Sequence, residues 1–155
     1  MASIEDLYQE IILEHNKRPR NYGPLAGATH QADGRNPLCG DELKVSLKVE
    51  SGRIAAIHFL GQGCAISKAS ASMMTEAVSG RSIEEARGIT AKVLGAFKPD
   101  GKELVLEQDG ELAALLGVRK FPARIKCATL AWHALLAALE GASAVSTESG
   151  TGKDT

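Results

Sequence analysis

None of the three cysteines in this 155-residue chain stands in a Cys-x-x-Cys pair, which excludes the standard zinc-finger spacings. The odd count, with no secretory pattern in the acidic, amphipathic start Met1-Ala2-Ser3-Ile4-Glu5-Asp6, argues against a disulfide framework. No apolar run approaches the roughly 18 residues that a helical membrane span needs. A basic excess is missing too: Lys and Arg total 18 against 19 Asp and Glu, and a net charge of −1 gives no reason to expect a nucleic-acid partner. What remains is the expectation of a soluble cytoplasmic protein, with neither nucleic acid nor membrane among its partners, in a compartment that keeps thiols reduced. At this length, and with 44% hydrophobic residues, one domain with its own core is expected.

The cysteines that are present stand in unusual contexts. Cys39 lies in Asn36-Pro37-Leu38-Cys39-Gly40-Asp41, a turn stiff at Pro37 and permissive at Gly40, with the carboxylate of Asp41 two residues beyond the thiol. Cys64 follows Gly61-Gln62-Gly63 and opens a helical pattern, where unpaired backbone N–H groups and the helix dipole favour a thiolate. Cys127 follows Arg124-Ile125-Lys126, and cations favour a thiolate as well. Three thiolates and one carboxylate make a four-donor set suited to zinc. Three unrelated core cysteines are the competing reading, because free cysteine often serves as a small buried residue.

The apolar pattern predicts an α+β fold. Ile4, Leu7, Tyr8, Ile11 and Ile12 follow helical spacing behind a Ser3 cap, and the pattern stops near Pro19. Residues 43–49 alternate as a half-exposed strand, Ser51-Gly52-Arg53 turns, and Ile54 to Leu60 reads as the hairpin partner. A weaker strand is expected over 28–34. Helices are predicted from Cys64 to Val78, behind the capping box Ser82-Ile83-Glu84-Glu85 toward Phe97, from Gly110 to Leu116, and from about Lys126 to Glu140. Pro99-Asp100-Gly101 marks a turn. The expected architecture is a small three-stranded antiparallel sheet covered on one face by helices, occupying residues 1–141, with 142–155 a disordered tail. A hairpin returns its exit to its entrance, so Cys64 should come back beside Cys39, with Cys127 brought over the same end of the sheet.

Three segments carry a resemblance: Asn36 to Asp41, Gly61-Gln62-Gly63-Cys64-Ala65-Ile66-Ser67, and Lys120 to Leu130. In this order they resemble the IscU-like (NifU N-terminal) superfamily of iron–sulfur cluster assembly proteins, over about Ile4 to Glu140, and within it most nearly the SufU branch. The scaffolds of that superfamily carry a histidine before the last cysteine, where this chain has Lys126, and a Leu-Pro-Pro-Val-Lys motif where it has Lys120-Phe121-Pro122-Ala123-Arg124. The stretch between the second and third cysteines is also longer here than in such scaffolds. All three departures are shared with SufU-like proteins.

The resemblance implies a zinc-dependent sulfurtransferase that takes persulfide sulfur from a SufS-type cysteine desulfurase and passes it toward a downstream cluster scaffold. It implies Cys39 as sulfur acceptor, Cys39, Asp41, Cys64 and Cys127 as metal ligands, and Arg124 and Lys126 as outer groups that offset charge or activate the partner. The alternative it implies is a scaffold on which a transient iron–sulfur cluster forms, with iron at the same donors. None of the histidines at 15, 30, 58 and 133 falls in a ligand position of the motif. Lys17, Arg18 and Arg20 read as a solvated basic face at a helix end, Met73 and Met74 as core or helix surface, and Trp132 as a core anchor.

Overall fold

A computed structural model describes residues 3–37, 40–98, 100–101, 104, 109–141 and 144–146. Helix α1, Ile4–Lys17, starts at a capping box in which Ser3 Oγ accepts the Asp6 N–H at 3.1 Å and Asp6 Oδ2 accepts the Ser3 N–H at 3.3 Å. Strands β1 (His30–Asn36), β2 (Asp41–Glu50) and β3 (Arg53–Gln62) form an antiparallel meander. Ser51 and Gly52 close the β2–β3 hairpin with φ of 51° and 75°, the positive values a two-residue type I′ turn requires.

Helices α2 (Ala65–Val78) and α3 (Ile83–Ala96) follow, then a 3-10 helix Gly110–Lys120 and helix α4 (Pro122–Leu139). Two of these differ from the sequence pattern. The segment at 110 continues to Lys120 as a tighter 3-10 helix, and α4 begins at Pro122 because proline suits a first helical position, where no N–H is needed. A fourth strand, β4 (Ala144–Ser146), pairs in parallel with β1, giving the order β3-β2-β1-β4. It falls inside the stretch expected to be a disordered tail; residues 147–155 lie outside the described ones, as does Pro99 of the predicted turn.

Helices α2 and α4 cover one face of the sheet, α4 on β1 and β2 and α2 on β3. The interior joins Val45, Leu47, Ile57 and Phe59 of the sheet to Met74 of α2 and Leu130, Trp132 and Leu135 of α4, all at most 1% exposed. Each such side chain contributes about 1.5–3 kcal/mol of burial. A polar relay crosses that apolar interface: Trp132 Nε1 donates to Ser70 Oγ at 3.0 Å, and Ser70 Oγ donates to the Ala128 carbonyl at 2.5 Å. Helix α1 packs outside α2 and against the 3-10 helix, to which the Glu5–Lys120 ion pair also ties it. No helix among the described residues is long and apolar enough to cross a membrane.

Candidate metal centre

The strand register gathers the donors at one end of the sheet. Asn36 pairs with Asp41 across the β1–β2 turn, and Glu42 pairs with Gln62, so β3 ends beside the start of β2. Within that turn the Gly40 N–H bonds the Asn36 carbonyl at 2.9 Å and Gly40 takes a φ of 74°. Leu38 and Cys39 lie outside the described residues.

Two glycines then bring Cys64 inward. A Cβ on Gly61, whose φ is 139°, would fall 2.1 Å from the Glu42 carbonyl oxygen, and one on Gly63 would fall 2.9 Å from Asp41 Oδ1. Without those side chains the Cys64 N–H reaches Asp41 Oδ1 at 2.9 Å. Cys64 is the N-cap of α2, and its sulfur accepts the Ser67 N–H at 3.4 Å. Cys127 is buried in the second turn of α4, and its sulfur accepts a hydrogen bond from Asn36 Nδ2 at 3.6 Å. Because α4 starts at Pro122, its N-terminal amides lie a turn away, and a side chain of β1 serves Cys127 instead.

A carboxylate oxygen of Asp41 and the sulfurs of Cys64 and Cys127 all lie within 4.8 Å of one another. Asp41 has no exposed surface, and its Oδ2, like Ser67 Oγ, has no hydrogen-bond partner among the described residues. A buried carboxylate costs several kcal/mol in lost hydration. One hydrogen bond to a charged group returns about 1.5–3 kcal/mol, so the Cys64 N–H alone does not offset that cost. A cation against Oδ2 and two sulfurs would, and one carboxylate with thiolates is a donor set that suits zinc.

Arg124 is exposed and Lys126 half-buried in the first turns of α4. Cations at a helix N-terminus oppose the helix dipole, so helix stability does not explain them there. Among the described residues none of the four histidines joins the Asp41 group. Nothing in its sequence context marks Asn36 for this role; the signal for it is its register position opposite Asp41.

Residues 7–145 match the family model described as the NifU-like N terminal domain. The chain is 44% identical over 135 residues to a Bacillus subtilis (strain 168) protein named zinc-dependent sulfurtransferase SufU, spanning 86% of this chain and 90% of that one. It is 42% identical over 144 residues to a Streptococcus pyogenes serotype M1 protein named iron-sulfur cluster assembly scaffold protein IscU, spanning 90% and 87%. A crystal structure of the N-terminal part of a nitrogen-fixing NifU-like protein from Brucella abortus superposes with a TM-score of 0.79 at 25% identity, covering 89% of this chain and 95% of that one.

Proposed function

The chain belongs to the family of NifU-like N-terminal domains, and from that premise we propose that it is a zinc-dependent sulfurtransferase of iron–sulfur cluster assembly, charged by a SufS-type cysteine desulfurase. The observation that supports this most is the buried Asp41 carboxylate, one oxygen without a partner, beside two cysteine sulfurs. Asp41, Cys64 and Cys127 would hold zinc, with Cys39 as fourth donor when it carries no sulfur. With zinc bound, the coordinating thiols would stay deprotonated at neutral pH.

Cys39 is the acceptor in this reading, and thiol exchange supplies the step. Its thiolate attacks the outer sulfur of the desulfurase persulfide. A new S–S bond forms at Cys39 while the partner's S–S bond breaks, and the partner cysteine leaves as a thiolate with the electron pair, so no external oxidant is needed. Asp41 positions Cys64 through the backbone N–H, and Asn36 orients Cys127. Arg124 and Lys126 would offset the negative charge that three thiolates and a carboxylate leave on a divalent ion, and Arg124, which is exposed, would meet the partner.

A scaffold for a transient cluster, with iron at the same donors, is the second reading, and the relative named IscU supports it. Lys126 counts against it, since it occupies the place where such scaffolds carry a histidine. The deciding experiment is desulfurase turnover on cysteine, under reductant, with zinc-loaded and zinc-stripped protein. Strong activation by the zinc form alone is the expected result, and Cys39→Ala should abolish it. No activation by the zinc form, with a cluster appearing once iron replaces zinc, would overturn the sulfurtransferase reading.

A further inference from the structure

We propose that His15, Glu76 and Glu111 form a second divalent-cation site, built from nitrogen and oxygen donors, that ties the 3-10 helix to the α1–α2 pair. His15 of α1 has no exposed surface, while the side chains of Glu76 and Glu111 are 47% and 54% exposed. Its Nε2 lies 2.7 Å from Glu111 Oε1 and 3.8 Å from Glu76 Oε1, and the three donor atoms lie within 4.8 Å of one another.

Hydrogen bonding alone leaves this group incomplete. A single Nε2–H satisfies Glu111, and Glu76, the second carboxylate drawn toward the same nitrogen, is left beyond hydrogen-bond range. Like charges held that close repel. Arg20 answers part of the charge, its Nε 3.9 Å from Glu76 Oε2, whereas Oε1 is the oxygen 3.8 Å from His15 Nε2. A divalent ion replacing the Nε2 proton neutralises both carboxylates and engages the free oxygen.

The surroundings are prepared for that exchange. His15 Nδ1 lies 2.7 Å from Ser72 Oγ, which also accepts the Arg20 backbone N–H at 2.8 Å. A serine hydroxyl can donate or accept by rotation, so it can accept a hydrogen bond from Nδ1–H and leave Nε2 as the ligand. Metal-bound histidines typically have their other nitrogen fixed in this way. Ligand distances of roughly 2.0–2.2 Å require only a modest contraction of the three donors, within reach of two half-exposed glutamates. Both glutamates also line a cleft of about 590 Å³ between α2, α3 and the 3-10 helix, which gives an ion an entry path and open coordination positions.

One nitrogen and two carboxylates suit zinc, manganese or ferrous iron rather than cuprous copper. The inference does not depend on the sulfur-transfer reading, and its test is arranged to keep the two apart. Zinc bound per chain is measured by equilibrium dialysis for the wild type and for Glu76→Gln/Glu111→Gln, in which both glutamates keep their shape and lose their charge. The expected difference is one zinc per chain, whatever the cysteine group binds. Each single substitution should weaken that zinc at least roughly tenfold, and zinc should raise the melting temperature further in the wild type than in the double variant. Equal zinc content in the two proteins would overturn the proposal and leave His15–Glu111 as a hydrogen-bonded pin alone.

Discussion

Helix α2 carries a donor group at each end, and the two are built on opposite plans. At its start, Cys64 joins Asp41 and Cys127, a sulfur-rich group in which two of three members are fully buried. In its last turn, Glu76 joins His15 and Glu111, where only the histidine is buried. The first group is positioned by backbone: a strand register, two glycines and a helix cap. The second is positioned by long side chains from three elements. Preorganised donors favour tight binding with little rearrangement, whereas flexible half-exposed donors favour exchange. The pair therefore predicts one resident ion and one that follows its concentration.

Removing a sulfur should break the contrast most completely. Cys127→Ser should lower zinc affinity at the cysteine group by more than the roughly 10–100-fold typical of losing an outer partner, while the one-zinc difference assigned to Glu76 and Glu111 persists; competition with a chelating dye measures both. Asn36→Ala is the intermediate case. It deletes the N–H donor to Cys127, so affinity should fall by about 10–100-fold, and in the cobalt-substituted protein the sulfur-to-metal charge-transfer bands should shift. Unchanged bands would show that Asn36 supports the β1–β2 turn alone.

The smallest effect is expected at Glu85, which lines the same cleft as Glu76 and Glu111 and serves as its control. The Ser82 backbone N–H bonded to Glu85 Oε1 at 3.0 Å holds this carboxyl below its ordinary value, with the Ser82 hydroxyl, Arg81 and Arg53 acting in the same direction. A lowered folded value means the cap contributes above the ordinary carboxylate range and loses that contribution as pH falls through the lowered value. Glu85→Gln should thus leave zinc binding at both groups unchanged. Its stability deficit, followed by circular dichroism against pH, should be present at neutral pH and vanish in acid.

Much of the fold was legible because local signals agreed with tertiary placement. Ser82 and Glu85 read as a capping box and form one, and Gly61-Gln62-Gly63-Cys64 reads as a sharp turn into a helix and is one. The sheet's meander followed from alternation, yet β4 did not: its three residues have no alternating pattern and pair in parallel with β1. The start of α4 was hidden since Pro-Ala-Arg-Ile-Lys reads equally as a basic loop. In the cysteine group, residue type and turn chemistry pointed to Asp41, Cys64 and Cys127 in advance, whereas Asn36 required the strand register. His15 is illegible in sequence for a different reason. Its partner Glu111 is 96 positions away, and no spacing rule connects a helix near the start of the chain to a 3-10 helix near its end.

The relay between Trp132 and Ser70 has an optical consequence. Trp132 is the only tryptophan in the chain, and it sits on the helix of Cys127, bonded to the helix of Cys64. Its emission is therefore a built-in reporter of whether the two sulfur-bearing helices remain docked. Blue-shifted fluorescence that survives chelation would mean that the helix pair stands without an ion and offers its sulfurs as a ready clamp. A shift to the red would mean that the ion itself draws the helices together, and that the protein's folding and its metal supply are one equilibrium.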